Sequence, residues 1–132
     1  MGMVDLARTQ GVGAMARSWA AGMVGPVGLQ DAHLMNDIYQ MIERKSLQIF
    51  ERQVHALVHR PDASDVLPRI ACPTLVLTGE LDSLAPPAQH HALAQRMTCQ
   101  PQVVILPNCG HMAMQEQPQA VAQAMLDWLS VH

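Results

Sequence analysis

A chain of 132 residues has the length of one domain and buries about two-thirds of the surface its unfolded form exposes. Apolar residues make up 49% and charged residues 14%, a composition that excludes intrinsic disorder. Eight Lys and Arg against eleven Asp and Glu leave a net charge of -3 with no basic run, which argues against a nucleic-acid partner. No apolar stretch is long enough to span a bilayer, so no membrane partner is expected. The opening MGMVDLARTQ lacks the basic flank and apolar core of a secretory leader. Three irregularly spaced cysteines (Cys72, Cys99 and Cys109), with no CxxC pair, predict neither a disulfide framework nor a structural zinc site. The expected compartment is a reducing cytoplasm, and no cofactor or metal is implied.

Residues 1–21 are rich in Ala and Met, and Leu6, Ala7, Val12, Met15 and Trp19 recur near helical spacing. The run Gly22-Met23-Val24-Gly25-Pro26-Val27-Gly28 breaks that helix. Over residues 31–59, Leu34, Ile38, Met41 and Ile42, then Leu47, Phe50, Val54, Leu57 and Val58, recur every three or four positions. They predict one apolar stripe carried by one or two helices, stopped by Pro61.

Beyond Pro61 the period changes. Thr74-Leu75-Val76-Leu77-Thr78 is a short apolar run closed by Gly79, and Gln102-Val103-Val104-Ile105-Leu106 is a second closed by Pro107. Continuous runs without alternation predict strands buried on both faces, as in a parallel sheet. Between them, two prolines open a helical segment over residues 86–97. Strand, helix, strand is a βαβ unit. A last helix is predicted from Pro118, with Val121, Ala124, Met125, Trp128 and Leu129 on one face. The fold class is therefore α/β: a helical region over residues 1–60, then a parallel βαβα portion over residues 61–132. Two parallel strands make a poor sheet alone, so the chain is expected to be part of something larger or to complete itself with a partner.

Two polar clusters follow the two strands directly: Gly79-Glu80-Leu81-Asp82 and Asn108-Cys109-Gly110-His111. Ligands of open α/β sheets bind beyond the carboxyl ends of the strands. Adjacent parallel strands would bring Asp82 and His111 to one edge. There the carboxylate can accept an imidazole N–H and leave the other ring nitrogen as a general base. The alternative stays open that Asp82 caps the following helix and His111 is an ordinary loop histidine.

The stretches CPTLVLTGELDSLAPP, VVILPNCGHMAMQEQP and AVAQAMLDWL resemble, in order and spacing, the C-terminal third of α/β-hydrolases. In that family the last strands end in a G-x-x-D, whose Asp is the triad acid, and a Gly-His pair, whose His is the base. Gly79 to Asp82 match the first motif, and Gly110 with His111 match the second. Glu116 and Pro118 match the E-x-P that commonly begins the last helix. Residues 1–60 resemble, less specifically, the helical cap such hydrolases insert, with residues 62–70 a short helix leading back to the sheet. The resemblance implies an incomplete α/β-hydrolase fold, acyl transfer with His111 as base and Asp82 as its orienting acid, and a small ester or lactone as substrate.

The chain departs from the pattern at the nucleophile. No G-x-S-x-G surrounds Ser18, Ser46, Ser64, Ser83 or Ser130, and the segment that would supply an oxyanion-hole N–H is also missing. A base without those parts should retain little hydrolytic power, because they act as a unit. The expectation is a piece of a longer hydrolase, or a chain that has lost its front half and is inactive alone. The competing function is a non-catalytic oligomeric binding or assembly module built on the same framework. In either case, a free edge on the first strand and unpartnered apolar helix faces predict a homo-oligomer, most simply a two-fold dimer.

Other candidates carry less. His55 and His59 stand at metal-ligand spacing on a helix, but no third ligand accompanies them, and a solvated face is the expectation. Glu80 is expected to serve in loop hydrogen bonding rather than as one of a carboxylate pair with Asp82. Cys109, two residues before His111, is read as a small buried residue rather than a nucleophile. Met112 and Met114, with Met23, Met35 and Met41, are read as core ahead of a substrate pocket.

Overall fold

A computed structural model describes residues 2–131, so the first residue of the expected N-terminal helix, Met1, lies outside the described residues. The chain forms two compact units: Met1–Gly22 with Leu29–Pro61, and Met23–Gly28 with Asp62–His132. Among the described residues no helix is long and apolar enough to cross a membrane.

The first unit is helical. The helix expected over residues 1–21 is two helices, α1 (Met3–Gln10) and α2 (Val12–Ala20). Gly11 divides them with a φ of 88°, a backbone state that a side chain disfavours. Its N–H still closes α1 on the Ala7 carbonyl at 3.0 Å. The longer stripe likewise falls on two helices, α3 (Ala32–Glu43) and α4 (Leu47–Val58). Each begins at a side-chain cap: Asp31 accepts the N–H groups of His33 and Leu34, and Ser46 accepts that of Ile49. Helix α2 packs on α1 and α3, and α1 touches α4. Ala7, Met15, Ala16, Ala20, Met35 and Ile38 are buried. Arg8 pairs with Glu51 at 2.6 Å, and Arg17 pairs with Glu43 while lying over the Tyr39 ring. Both arginines are more than half exposed, so these pairs add little stability.

The second unit holds the sheet. Strand β1 (Leu75–Gly79) runs parallel to β2 (Gln102–Leu106), with Val76 opposite Val103 and Gly79 opposite Leu106. Helix α5 (Pro87–Gln95) connects them, and prolines at its start supply the preset φ of a first turn. A four-residue helix, α6 (Ala113–Glu116), precedes α7 (Pro118–Ser130). The segment 62–70 contains one short 3-10 turn, Leu67–Arg69.

Both α5 and α7 pack on both strands. Alternation along the strands sends Leu77, Val104 and Leu106 to one face, where they meet Ala113, Ala120 and Val121 around fully buried Cys109. Val76 and Val103 point to the other face, and Val103 shares a shallow cleft with Ala94 and Met97. Among the described residues the sheet has these two strands only, so each keeps one edge without a strand partner. Helix α7 has no buried residue, and its Met125, Leu126 and Leu129 are all more than half exposed.

Candidate active site

The parallel register aligns the ends of β1 and β2, and the pairing continues past them. The Glu80 N–H donates to the Leu106 carbonyl and the Leu81 N–H to the Cys109 carbonyl, both at 2.8 Å. The two loops therefore leave the sheet in contact. Gly79 makes this approach possible. A Cβ there would lie 2.2 Å from the Gly110 carbonyl oxygen and 2.3 Å from that of Cys109, distances that atoms do not tolerate.

This contact brings Asp82 to His111. Asp82 Oδ2 lies 2.9 Å from His111 Nδ1, and the aspartate side chain is 5% exposed against 34% for the histidine. The other oxygen, Oδ1, accepts the N–H groups of Leu84 and Ala85, each at 2.9 Å. Asp82 thus meets His111 with one oxygen and caps a turn with the other, and that turn precedes α5 instead of being the start of the helix itself. Burial alone would raise the Asp82 carboxyl. The bonds from Ala85 and His111, the histidine's charge and the bond from Leu84 outweigh it and hold the group below its ordinary value of 3.8. The carboxylate is anionic and oriented, and it holds the imidazole by Nδ1, so Nε2 is left to exchange a proton.

The loop behind His111 is tied by carboxylates at two points. Glu80 Oε2 accepts the Asn108 N–H at 3.0 Å, and Asn108 takes a φ of 55°. Glu80 is therefore a loop anchor. Glu116 accepts the Gly110 N–H at 3.0 Å and the Gly25 N–H at 2.7 Å. The Met23 carbonyl accepts the His111 and Met112 N–H groups at 2.8 and 3.3 Å. The importance of Glu116 is missed when the sequence is read only for a helix start. Its signal is a carboxylate six residues past Gly110, with Pro118 forcing a break between α6 and α7.

The remaining candidates lie elsewhere or act otherwise. The His55 and His59 rings stack with centroids 4.0 Å apart, and His59 Nδ1 lies 2.8 Å from the His55 carbonyl oxygen. Among the described residues no three His, Cys, Asp or Glu side chains gather as a metal site would require. Cys109 is buried and its thiol is pushed up to about 11, by desolvation first and then by the charges of Glu116 and Asp82. A thiol so raised is no nucleophile at neutral pH. Met23 and Met35 are buried, whereas Met114 is 70% exposed. Met114 lines an open groove of about 580 Å³ with His111, Leu75, Leu77, Val121, Met125 and Trp128. One of the expected core methionines thus faces a space beside the histidine.

An α/β layer with an aspartate–histidine contact beyond the carboxyl ends of adjacent parallel strands places those side chains at the edge where open α/β sheets bind their ligands. A sequence model of the Alpha/beta hydrolase family matches residues 3–124, and the chain belongs to that family. Among solved structures, a thermophilic esterase from Thermogutta terrifontis superposes with a TM-score of 0.87 at 31% identity, over 97% of this chain and 47% of its own. The enol-lactonase from Burkholderia xenovorans LB400 gives 0.85 at 23% identity, over 97% and 48%. MGS-M2, an α/β hydrolase enzyme from a Medee basin deep-sea metagenome library, gives 0.74 at 25% identity, over 98% and 48%. The chain spans about half the length of these structures. No functionally curated protein matches it in sequence.

Proposed function

We propose that this chain carries the general base and the orienting acid of an acyl hydrolase acting on small esters or lactones. His111 is the base and Asp82 the acid, working on a serine alcohol and an oxyanion hole supplied by polypeptide outside these 132 residues. One observation carries the reading: the 2.9 Å bond from His111 Nδ1 to a buried, anionic Asp82 at the edge where this family's sites lie. The esterase and lactonase among the similar structures support the substrate class. The first unit serves as the cap, and the open groove beside His111 is the face on which the remainder of the fold, or a second copy of the chain, closes. In a reducing cytoplasm the three free cysteines stay thiols.

The test has two arms. The coding DNA upstream of Met1 should encode, in frame, a strand followed by G-x-S-x-G. A stop codon with no such segment favours the non-catalytic assembly module instead. The 132-residue chain alone should not hydrolyse p-nitrophenyl acetate above background. Turnover by the chain alone that disappears in His111→Ala would sink the claim that the nucleophile lies elsewhere.

A further inference from the structure

We propose that Glu116 is a positioning residue for His111, acting through the backbone of Gly110; this rests on the reading of His111 as the base. The groups it holds need it. Gly25 and Gly110 are both buried, and a buried N–H without an acceptor is costly. Glu116 satisfies both: Oε2 lies 2.7 Å from the Gly25 nitrogen, and Oε1 and Oε2 lie 3.0 and 3.1 Å from that of Gly110. Bonds to a carboxylate are about twice as strong as neutral ones.

The fit around the carboxylate is closed by the missing side chains. A Cβ at Gly110 would lie 2.6 Å from the Gly25 nitrogen, 2.7 Å from the Met23 carbonyl oxygen and 2.9 Å from Glu116 Oε1. A Cβ at Gly25 would lie 2.9 Å from the Asn108 carbonyl oxygen and 3.0 Å from Glu116 Oε2. Two backbones thus touch with a glutamate between them, and the next N–H along, that of His111, completes the clasp on Met23. Gly110 is the residue immediately before the base. Its peptide orientation sets the direction of the His111 Cα–Cβ bond, and hence whether Nδ1 meets Asp82. Helix α6 exists at this point to turn the chain back, so that Glu116 reaches the residue six positions before it.

The experiment uses nuclear magnetic resonance of the 132-residue chain. The imidazole Nδ1–H proton bonded to Asp82 is assigned by its loss in His111→Gln. In Glu116→Gln the side-chain volume is kept, but one acceptor oxygen becomes a donor facing backbone N–H groups. The expected result is loss or broadening of the Nδ1–H resonance and exchange of the Gly25 and Gly110 amides at least about tenfold faster. The strand amides of Val76 and Val103 should keep their protection. Should Glu116→Ala unfold, Glu116→Gln, which fills the same space, decides the question. Survival of the resonance in Glu116→Gln overturns the proposal alone. Absence of the resonance from the unmodified chain overturns the base reading and the proposal with it. Collapse of strand protection in both variants overturns it in favour of a general structural role.

Discussion

Asp82 and His111 meet through one oxygen of the carboxylate while the other oxygen holds the Leu84 and Ala85 N–H groups. The turn fixes the carboxylate, and the carboxylate fixes the ring. An aspartate free to rotate would offer His111 either oxygen at varying angle. This one has a single oxygen left to give.

Replacing Asp82 by Asn therefore does two kinds of damage. The amide cannot serve the turn with its oxygen and still accept from Nδ1. The expected outcome is a loss of about 1–3 kcal/mol of stability in urea denaturation, from a buried polar group left mispaired. A shift of His111 away from the Nδ1–H tautomer should accompany it, read from the imidazole nitrogen resonances. An unchanged tautomer would contradict the pairing.

The acid limb of the stability curve follows from the same carboxylate. Its folded value lies below the ordinary 3.8, so its contribution is full above 3.8 and is lost as pH falls through the folded value. Urea midpoints measured downward from pH 5 should decline more steeply in the unmodified chain than in Asp82→Asn. Parallel curves would show that Asp82 contributes nothing to the acid limb.

Cys109 sets an alkaline limb of opposite sense. Its thiol ionises at 9.0 in the ordinary case and near 11 when folded. Between those values the unfolded chain sheds the proton first, so unfolding is favoured as pH rises. Denaturation midpoints should fall from pH 9 to pH 11, and Cys109→Ala should flatten that fall. Iodoacetamide at pH 8 should label exposed Cys72 well before Cys109.

Gly79→Ala tests the close approach of the two loops. The added methyl would meet two backbone carbonyls, which cannot swing aside as a flexible side-chain end can. A loss of about 3 kcal/mol is expected, at the upper end for overpacking, with the Asp82–His111 signal displaced. Full stability in this variant would mean that the loops do not approach as described.

Self-association through the groove predicts a mass of twice 14.4 kDa by light scattering at micromolar concentration. Met125→Glu places a charge among Leu75, Val121 and Trp128 and should return the chain to one copy. A compact single copy in the unmodified chain would leave the groove to the remainder of the fold.

Sequence patterning carried the longer helices and both strands because each is a local consequence of its side chains, whereas four-residue α6 is too short to show a period. The runs ending at Gly79 and before Pro107 are β1 and β2, and Pro118 opens α7. The two breaks it blurred, at Gly11 and at residues 44–46, depend on a backbone φ and on a Ser46 cap. Neither disturbs the apolar stripe, so neither was visible in it. Asp82 and His111 could be named from the sequence because parallel neighbours must end at the same edge. Their 2.9 Å bond could not, nor could the bonds from Glu116 to Gly25 and Gly110. Gly25 and Glu116 lie 91 residues apart, and no period links them. Only the folded backbone, passing where two glycines leave room, decides that a carboxylate stands between them.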